Sequence, residues 1–294
     1  MPTGILLLDK PKGLTSNGAL QRLRKAFGAK SAGHVGTLDP MATGMLPLCF
    51  DEATKVIAEI ASGAKCYEFT VQLGARTDTG DADGEIVDRK SVPALNPALI
   101  EQVLAQFRGL QSQVPPMYSA LKRNGRPLYE LARQGVEVER AARAIEIRRL
   151  ELVAFRPDAL DLICECAKGT YIRVLGEDIA LRLGTQGYLT QLRRAWVEPF
   201  RDMPMWSLEA ALAGAENAGQ GLFAPDMALR SLPQASLTDE QVVALRHGQT
   251  VSGAIDSPAP VGGRVRLYGP GGVFLGMAEV LPDGRLQPRR LLGT

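Results

Sequence analysis

A single aspartate stands in a loop of turn-forming residues near the start of the chain, Gly33–Gly44. Asp39 follows His34, one of only two histidines among the 294 residues, by five positions. Pro40 disfavours a helical conformation at Asp39, and we expect the three glycines of the loop to adopt backbone angles closed to other residues. A carboxylate held in such a loop is a candidate nucleophile or base. An isolated Asp-Pro is more often an ordinary turn, so the neighbouring residues must decide between a turn and a catalytic loop.

The sequence lacks the parts that most other reaction classes require. Its four cysteines form no CxxC pair and it has two histidines, so a structural zinc site is not expected. It contains neither a GxxxxGK(S/T) phosphate loop nor a dinucleotide fingerprint after a strand. Carboxylate chemistry remains, in which an arginine such as Arg173 could hold Asp39 ionised through a two-pronged hydrogen bond.

The acidic turn Asp78–Glu85 is a second place where carboxylates gather, but its pattern fits neither site that it suggests. A calcium loop would need ligands where Gly80 and Ala82 stand. An aspartic protease would need its Asp-Thr-Gly between apolar strands, whereas this one lies among other carboxylates. We expect the segment to form a solvated hairpin.

Composition and charge are those of a globular protein with a weak preference for an anionic partner. Apolar residues make up 45% of the chain and the net charge is +2. Local basic clusters leave nucleic acid open as a partner on charge alone; they are Arg22, Arg24, Lys25 and Lys30, then Lys122, Arg123 and Arg126, then Arg133, Arg140, Arg143, Arg148 and Arg149. No apolar run has the length of a membrane span and the first residues do not resemble a signal peptide, so we expect a cytoplasmic protein without a membrane partner.

The elements that must position Asp39 alternate between strands and helices. Apolar and β-branched alternation predicts strands over Gly4–Leu8, Cys66–Leu73, Arg143–Phe155 and Leu160–Ala167, the last two paired across a turn. Apolar residues at helical spacing predict a helix capped by Thr15 or Ser16 and ended by Gly28, and others over Pro93–Gly109 and Leu175–Leu183. This pattern predicts a mixed sheet with helices inserted between its strands.

The end of the chain has a different pattern. The composition shifts to alanine and glycine over Ala210–Gly221, which indicates a helix end and a connecting stretch. A capping box at Thr238 then begins a short helix, and three β runs follow, Val265–Tyr268, Val273–Val280 and Arg285–Leu292. Because the chain is long enough for one large and one small domain, we expect a small β-rich module here.

Five segments resemble, in order and spacing, the motifs of the TruB family of pseudouridine synthases. They are Leu8–Ser16, Gly33–Gly44, Lys65–Phe69, Gln113–Ala120 and Gly169–Arg173. Several motifs in one order are more specific than any single motif. The match spans roughly the first 200 residues, and the C-terminal module resembles the PUA RNA-binding domain of the same family.

The resemblance implies a fold, a reaction and a partner. The fold is α+β, a mixed and largely antiparallel sheet with inserted helices over residues 1–230, followed by a PUA-like domain over 231–294. The implied reaction isomerises uridine to pseudouridine at position 55 in the T-loop of tRNA, breaking the N1–C1′ bond and joining C5 to C1′. No cofactor or metal is expected. Because the chain lacks the long basic tail of guide-RNA-dependent relatives, we expect a stand-alone monomer whose partner is the tRNA T-arm.

The resemblance also implies roles for individual residues. Asp39 matches the catalytic aspartate, for which attack on C1′ and proton abstraction at C2′ are both open. Tyr67 matches the tyrosine that stacks on the target base and assists proton removal from C5, and Arg173 matches the arginine paired with the aspartate. Each residue taken alone would be interpreted as a core or surface side chain.

Three further residues match positions that bind the substrate. His34 matches the histidine that helps to displace the target nucleotide, while Tyr171 and Leu192 match residues lining the uridine pocket. Chemistry at a glycosidic bond inside a folded T-loop requires the nucleotide to be flipped out, and a flipped base needs stacking surfaces.

Two other functions remain open on the sequence. A non-catalytic RNA-binding or RNA-folding protein would also carry basic clusters and a PUA-like module. A nucleoside or glycoside hydrolase would also direct a carboxylate at an anomeric carbon, but it needs a second, acidic carboxyl group at a defined distance, and no motif supplies one.

Overall fold

The computed structural model describes residues 3–123, 125–216 and 220–293. In chain order, the strands are β1 (Gly4–Lys10), β2 (Ala32–His34), β3 (Thr43–Phe50), β4 (Lys65–Leu73), β5 (Ala75–Thr77), β6 (Ile86–Arg89), β7 (Gly109–Gln113), β8 (Lys122–Arg123), β9 (Arg126–Pro127), β10 (Arg143–Arg156), β11 (Ala159–Cys166), β12 (Gly187–Val197), β13 (Gln234–Ser236), β14 (Ala254–Ile255), β15 (Arg264–Tyr268), β16 (Phe274–Val280) and β17 (Leu286–Leu291). The α-helices are α1 (Ser16–Phe27), α2 (Ile57–Ser62), α3 (Pro97–Ala105), α4 (Leu128–Ala132), α5 (Ile172–Arg182), α6 (Leu208–Glu216) and α7 (Asp239–Arg246), and short 3-10 helices cover Asp51–Val56, Pro225–Leu229 and Pro270–Gly272.

The larger sheet, within the described residues, has eight strands. Seven follow the order β1-β3-β12-β4-β11-β10-β7, and β2 also pairs with β3. Neighbouring strands run antiparallel except β12 and β3, which are parallel where Arg193 and Arg194 face Thr43 and Gly44. The predicted mixed, largely antiparallel sheet with inserted helices is therefore confirmed.

Strand β3 forks the sheet beside the Asp39 loop. One side of β3 pairs along its length with β1, so β2 and β12 share the other side. Strand β2 pairs with Leu48–Phe50, and β12 meets the opposite end of β3. The loop between β2 and β3 therefore lies against β12.

Both faces of the larger sheet are buried at β1. Leu6 and Leu8 pack on the face covered by α1, α3, α5 and α6, while Ile5 and Leu7 pack on the other face with Phe200. Successive strand residues point to opposite faces, so two buried faces produce the continuous apolar run seen in the sequence.

The C-terminal strands form a second sheet with its own core. Its order is β14-β13-β15-β16-β17, and helix α7 begins with the predicted capping box at Thr238. Val265, Leu267 and Leu286 are fully buried in this core. Met277 instead packs against the first sheet. The predicted small β-rich module is confirmed.

Several predicted elements are confirmed with small changes at their ends. Helix α1 is capped by the Thr15 side chain and ends at Gly28. Strands β10 and β11 pair across the expected turn, and α5 begins three residues earlier than predicted, at Ile172. Helix α6 occupies part of the predicted connecting stretch Ala210–Gly221, and residues 217–219 of that stretch lie outside the described residues.

The sequence patterns missed β12, a central strand of the larger sheet. Its pairing with β4 shifts register between Leu189 and Gln191 and again between Arg194 and Trp196. Each bulge interrupts the two-residue alternation on which strand prediction depends.

In the part of the chain described by the structure, no helix has both the length and the apolar character needed to cross a membrane.

Candidate active site

The loop that carries Asp39 is fixed to the first helix at its base. The Ser16 hydroxyl donates to the carbonyl oxygen of Leu38 at 2.9 Å and accepts from the Leu38 N–H at 2.8 Å. The Gly13 N–H donates to the Pro40 carbonyl oxygen at 2.7 Å. Asp39 lies between these two anchors, so its backbone is held on both sides.

A buried lysine supports the same loop from below. Lys10 is fully buried, and its Nζ donates to the carbonyl oxygens of Pro11 at 2.9 Å, Leu14 at 2.6 Å and Pro40 at 3.3 Å. Burial lowers the pKa of Lys10 to about 8, and the negative charge of Asp39 opposes that change. The ammonium group therefore places positive charge beneath the candidate carboxylate.

A buried arginine fixes the other half of the loop to β12. Arg194 donates from Nε to the Met45 carbonyl oxygen at 2.7 Å, and from Nη2 to the carbonyl oxygens of Val35 at 3.1 Å and Gly36 at 3.0 Å. Arg194 is 1% exposed, so these backbone acceptors replace the water molecules that a solvated guanidinium would bind.

Two of the three loop glycines have the predicted backbone freedom, and the third does not. Gly36 has φ 68° and Gly44 has φ 98°. A Cβ atom on Gly44 would lie 2.2 Å from the backbone oxygen of Arg194, so only glycine fits there. The prediction is wrong for Gly33, which lies in β2 without a positive φ. A Cβ there would lie 2.5 Å from Cδ1 of Ile57, so close packing is what favours glycine at this position.

Arg173 lies opposite Asp39 and forms the two-pronged contact that its residue type allows. Its Nε is 3.0 Å from Oδ2 of Asp39, and its Nη2 donates to Oδ1 at 3.4 Å. The Arg173 side chain is 6% exposed and that of Asp39 is 34% exposed. The carboxylate therefore reaches solvent while its partner does not.

Arg173 is itself held by two backbone carbonyl groups from separate segments. Nη1 donates to the Thr79 oxygen at 2.6 Å, and Nη2 donates to the Tyr118 oxygen at 2.5 Å. These contacts use most of the guanidinium donors and fix the plane that faces Asp39.

The acidic turn Asp78–Glu85 is a hairpin, but the prediction that it is solvated is wrong for Asp81. Asp81 is 4% exposed and its Oδ2 lies 3.7 Å from Nε of Arg173. Burial raises the pKa of Asp81, and hydrogen bonds from Thr79 together with the charge of Arg173 oppose the rise. The turn folds inward because the Gly80 carbonyl oxygen accepts from the Leu189 N–H of β12 at 3.0 Å.

A cleft of about 310 Å³ opens beside the Asp39–Arg173 pair. Five of the six predicted site residues line it: Asp39, Tyr67, Tyr171, Arg173 and Leu192. They come from the β2–β3 loop, β4, the start of α5 and β12. The volume lies at the lower end of the range for ligand pockets, about 300–1,000 Å³.

The two predicted tyrosines of the cleft, Tyr67 and Tyr171, are partly or wholly withdrawn from water. Tyr67 is 8% exposed, and burial raises its pKa while the nearby Arg194 opposes the rise. Burial also raises the pKa of Tyr171. Both phenols are therefore neutral near pH 7, and each presents a ring to the cleft.

His34 is the predicted residue that the structure does not place in the cleft lining. It is half-buried at the end of β2, five residues before Asp39. Burial lowers its pKa, and Nδ1 is buried without a hydrogen-bond partner in the described part of the chain. Its role in binding RNA stays a prediction.

Several cleft residues were not predicted from the sequence. Lys65, Ser119 and Arg194 line the cleft and are buried. Lys65 donates to the Gly63 carbonyl oxygen at 2.9 Å, and burial lowers its pKa to about 8. No local signal separates Lys65 and Arg194 from surface charges, because Lys65 begins β4 and Arg194 follows a second arginine in the unpredicted strand β12.

The arrangement can bind and orient a planar base beside an anionic group. Asp39 supplies a carboxylate with a fixed cationic partner, Tyr67 and Tyr171 supply rings, and Leu192 supplies an apolar wall. Among residues 3–123, 125–216 and 220–293, no three His, Cys, Asp or Glu side chains are placed to hold a metal ion.

Two family models match this chain. Residues 24–172 match the family described as TruB family pseudouridylate synthase, N-terminal domain. The chain belongs to the TruB family of pseudouridine synthases. Residues 233–292 of this TruB-family enzyme match a second description, pseudouridine synthase II TruB, C-terminal.

Curated relatives extend the match over nearly the full length. The tRNA pseudouridine synthase B of Pseudomonas fluorescens is 46% identical over 295 residues, covering 99% of this chain and 95% of the relative. The protein of the same name from Aromatoleum aromaticum is 47% identical over 292 residues, covering 99% and 93%. The chain is accordingly a pseudouridine synthase, which is an isomerase.

Solved structures share the fold of this TruB-family chain at lower identity. A Cbf5–Nop10–Gar1 complex matches with a TM-score of 0.73 and 24% identity, covering 95% of this chain and 79% of that chain. An H/ACA RNP bound to a substrate RNA containing 2′-deoxyuridine matches with a TM-score of 0.75 and 20% identity, covering 100% and 86%.

Proposed function

We propose that this TruB-family enzyme converts uridine 55 in the T-loop of tRNA to pseudouridine. The observation that carries the proposal is the Asp39 carboxylate, partly exposed in the cleft and paired with the buried Arg173 beside the ring of Tyr67. The name of the relatives supports tRNA as the substrate. Position 55 rests on the resemblance of the motifs to those of the family.

The proposed reaction rearranges the nucleotide without adding or removing atoms. The N1–C1′ bond breaks, the C5–C1′ bond forms, C5 loses a proton and N1 gains one. Asp39 either attacks C1′ or removes a proton at C2′. In both cases Arg173 aims the carboxylate, because a two-pronged guanidinium contact fixes its orientation.

We assign Tyr67 to the base and to proton removal at C5. Its ring lines the cleft, and burial raises the pKa of its phenol. The positive charge of the adjacent Arg194 opposes that rise and so favours proton removal through this oxygen. Tyr171 and Leu192 provide the other walls of the proposed uridine pocket.

We assign His34 the role of contacting the RNA outside the cleft. It precedes Asp39 in the same fixed loop and does not line the pocket, which suits a side chain that contacts the T-loop while the nucleotide is flipped out. Base flipping costs a few kcal/mol of lost stacking, and contacts of this kind offset the cost.

We further propose that residues 1–230 form the catalytic domain and residues 231–294 a PUA-like RNA-binding domain, in a monomer that binds the T-arm without a guide RNA. Separate sheets and a C-terminal core of its own support this division, and Met277 and Phe274 cross the boundary to pack against the first sheet.

A T-arm stem-loop carrying either uridine or cytidine at the target position tests the proposal. We expect a mass-neutral product, mapped to that position, only with uridine. Released uracil would instead indicate a hydrolase, and tight binding without any product would indicate an RNA-binding protein.

A further inference from the structure

Gln113 is a buried amide side chain that contacts the site through the backbone of another residue. It ends β7 and is 6% exposed. Its Nε2 donates to the Tyr171 carbonyl oxygen at 3.1 Å, and its Oε1 accepts from the Tyr171 N–H at 2.8 Å. One side chain therefore satisfies both polar backbone groups of a residue in the cleft lining.

Tyr171 is the point at which helix α5 begins. It is the N-cap residue, its own side chain makes no capping hydrogen bond, and Arg173 follows in the first turn. A helix N-terminus leaves backbone N–H groups without partners inside the helix, so an external acceptor such as Gln113 fixes the entry of the chain. The direction of the Tyr171 ring and the position of Arg173 both depend on this entry.

The segment that follows Gln113 returns to the same site. Tyr118, five residues later, accepts a hydrogen bond from Nη2 of Arg173 at 2.5 Å through its carbonyl oxygen. The start of α5 is therefore joined twice to the segment Gln113–Tyr118, by Gln113 to the Tyr171 backbone and by Arg173 to the Tyr118 backbone.

We propose that Gln113 is a positioning residue for pseudouridine formation, which sets Tyr171 and Arg173 relative to Asp39 without touching the substrate. A neutral amide is suited to this contact because it donates and accepts at once. An ionised carboxylate of the same shape would still accept from the Tyr171 N–H, but it would face the Tyr171 carbonyl with an oxygen and no proton.

The variant Gln113→Glu tests this proposal by its dependence on pH. At pH 8 we expect the single-turnover rate to fall about tenfold to a hundredfold, with the dissociation constant for tRNA within about twofold of wild type. Lowering the pH protonates the introduced carboxyl group and restores a donor. The ratio of wild-type rate to variant rate should therefore shrink towards pH 5.5.

The matched control is Gln111→Glu on the same strand. The Gln111 amide donates to the carbonyl oxygens of Gln106 at 3.1 Å and Arg108 at 3.4 Å, and Gln111 does not line the cleft. We expect a rate within about twofold of wild type at every pH. A Gln113→Glu rate equal to wild type throughout, or a loss confined to tRNA affinity, would overturn the proposal.

Folding is checked by thermal unfolding of each variant. If Gln113→Glu does not fold at pH 8, Gln113→Asn decides, since it keeps the amide but shortens the reach by one methylene. A lower rate with normal affinity in that variant supports the positioning role, and an unchanged rate refutes it.

The positioning role of Gln113 rests on the proposed function, because the assay measures pseudouridine formation. Tritium release from unmodified tRNA labelled at C5 of uridine reports the rate wherever in the tRNA the enzyme acts, because C5 loses its hydrogen at any target uridine. Failure of position 55 would appear in the map of the product, whereas failure of the Gln113 role would appear in the ratio of rates.

Discussion

The two sheets of this protein differ in whether polar and charged side chains are buried around them. In the part of the chain described by the structure, buried charged and polar side chains are confined to residues 10–194. They are Lys10, Ser16, Lys65, Thr70, Thr77, Asp81, Gln113, Ser119, Arg173, Thr185 and Arg194. The core of the C-terminal sheet is built from apolar side chains, and its charged groups pair at the surface, as Arg289 does with Glu279 at 3.0 Å.

The difference shows which part of the molecule is arranged for chemistry. Burying a charge costs several kcal/mol unless hydrogen bonds compensate, so an apolar core is the simpler route to stability. In and around the larger sheet, backbone carbonyl groups compensate the buried charges of Lys10, Arg173 and Arg194. All three lie around the Asp39 loop, which indicates that the cost is tolerated to hold one carboxylate in place.

The largest expected effect follows from removing that carboxylate. Asp39→Asn and Asp39→Ala should abolish pseudouridine formation, a loss of about 10⁴-fold or more, because no other group in the cleft matches its role. Binding of tRNA should remain largely intact in a filter-binding assay. Normal amounts of product from either variant would show that the buried charges around the Asp39 loop do not hold a catalytic carboxylate, and the contrast between the two sheets would lose its meaning for function.

The next effect concerns the phenol in the cleft. Tyr67→Phe keeps the ring that stacks on the base and loses the oxygen that assists proton removal, so we expect the reaction to stall after rearrangement begins. Product formation should fall about 10²- to 10⁴-fold in single-turnover assays with tRNA affinity retained. Wild-type turnover by this variant would remove Tyr67 from the chemistry.

A smaller effect is expected at the inward-folded acidic turn. Asp81→Asn removes a negative charge 3.7 Å from Arg173, so we expect the single-turnover rate to fall about tenfold through looser orientation of that arginine. Asp83→Asn, in the same turn but exposed, is the matched control and should have no effect. Equal rates for the two variants would show that Asp81 does not help to orient Arg173.

The smallest effect on chemistry is expected in the C-terminal core. Leu267→Ala should lower the free energy of unfolding by about 2–5 kcal/mol, because the side chain is fully buried. The rate on a T-arm stem-loop should stay within about twofold of wild type below the melting temperature. The same truncation in the cleft wall, Leu192→Ala, should lower that rate, and a parallel loss in both variants would contradict the contrast.

The acidic turn and β12 show where sequence patterns failed. Residues 78–85 have the composition of a solvated turn. The contact of Gly80 with β12 and the hydrogen bond from Arg173 to the Thr79 carbonyl oxygen bring Asp81 to Arg173. Strand β12 was missed because its two bulges break the alternation of apolar residues. Both errors come from pairings between segments far apart in the chain, which no local pattern records.

The Asp39 loop, in contrast, was recognisable from its residues. Glycines and a proline around one carboxylate are local features, since backbone freedom and rigidity belong to single residues. The ordered motifs likewise indicated the family and five residues of the cleft lining.

The sequence by itself determined the shaped loop, the mixed sheet, the β-rich C-terminal module and the family. The resemblance of the motifs also implied that Arg173 pairs with Asp39. The tertiary structure alone decided that Asp81 is buried behind Arg173, that His34 stands outside the cleft lining and that Gln113 holds the backbone of Tyr171. The physical reason is the distance along the sequence over which each interaction acts. Propensity, capping and alternation act over a few residues, whereas these contacts join segments that are brought together only when the sheet closes its buried faces.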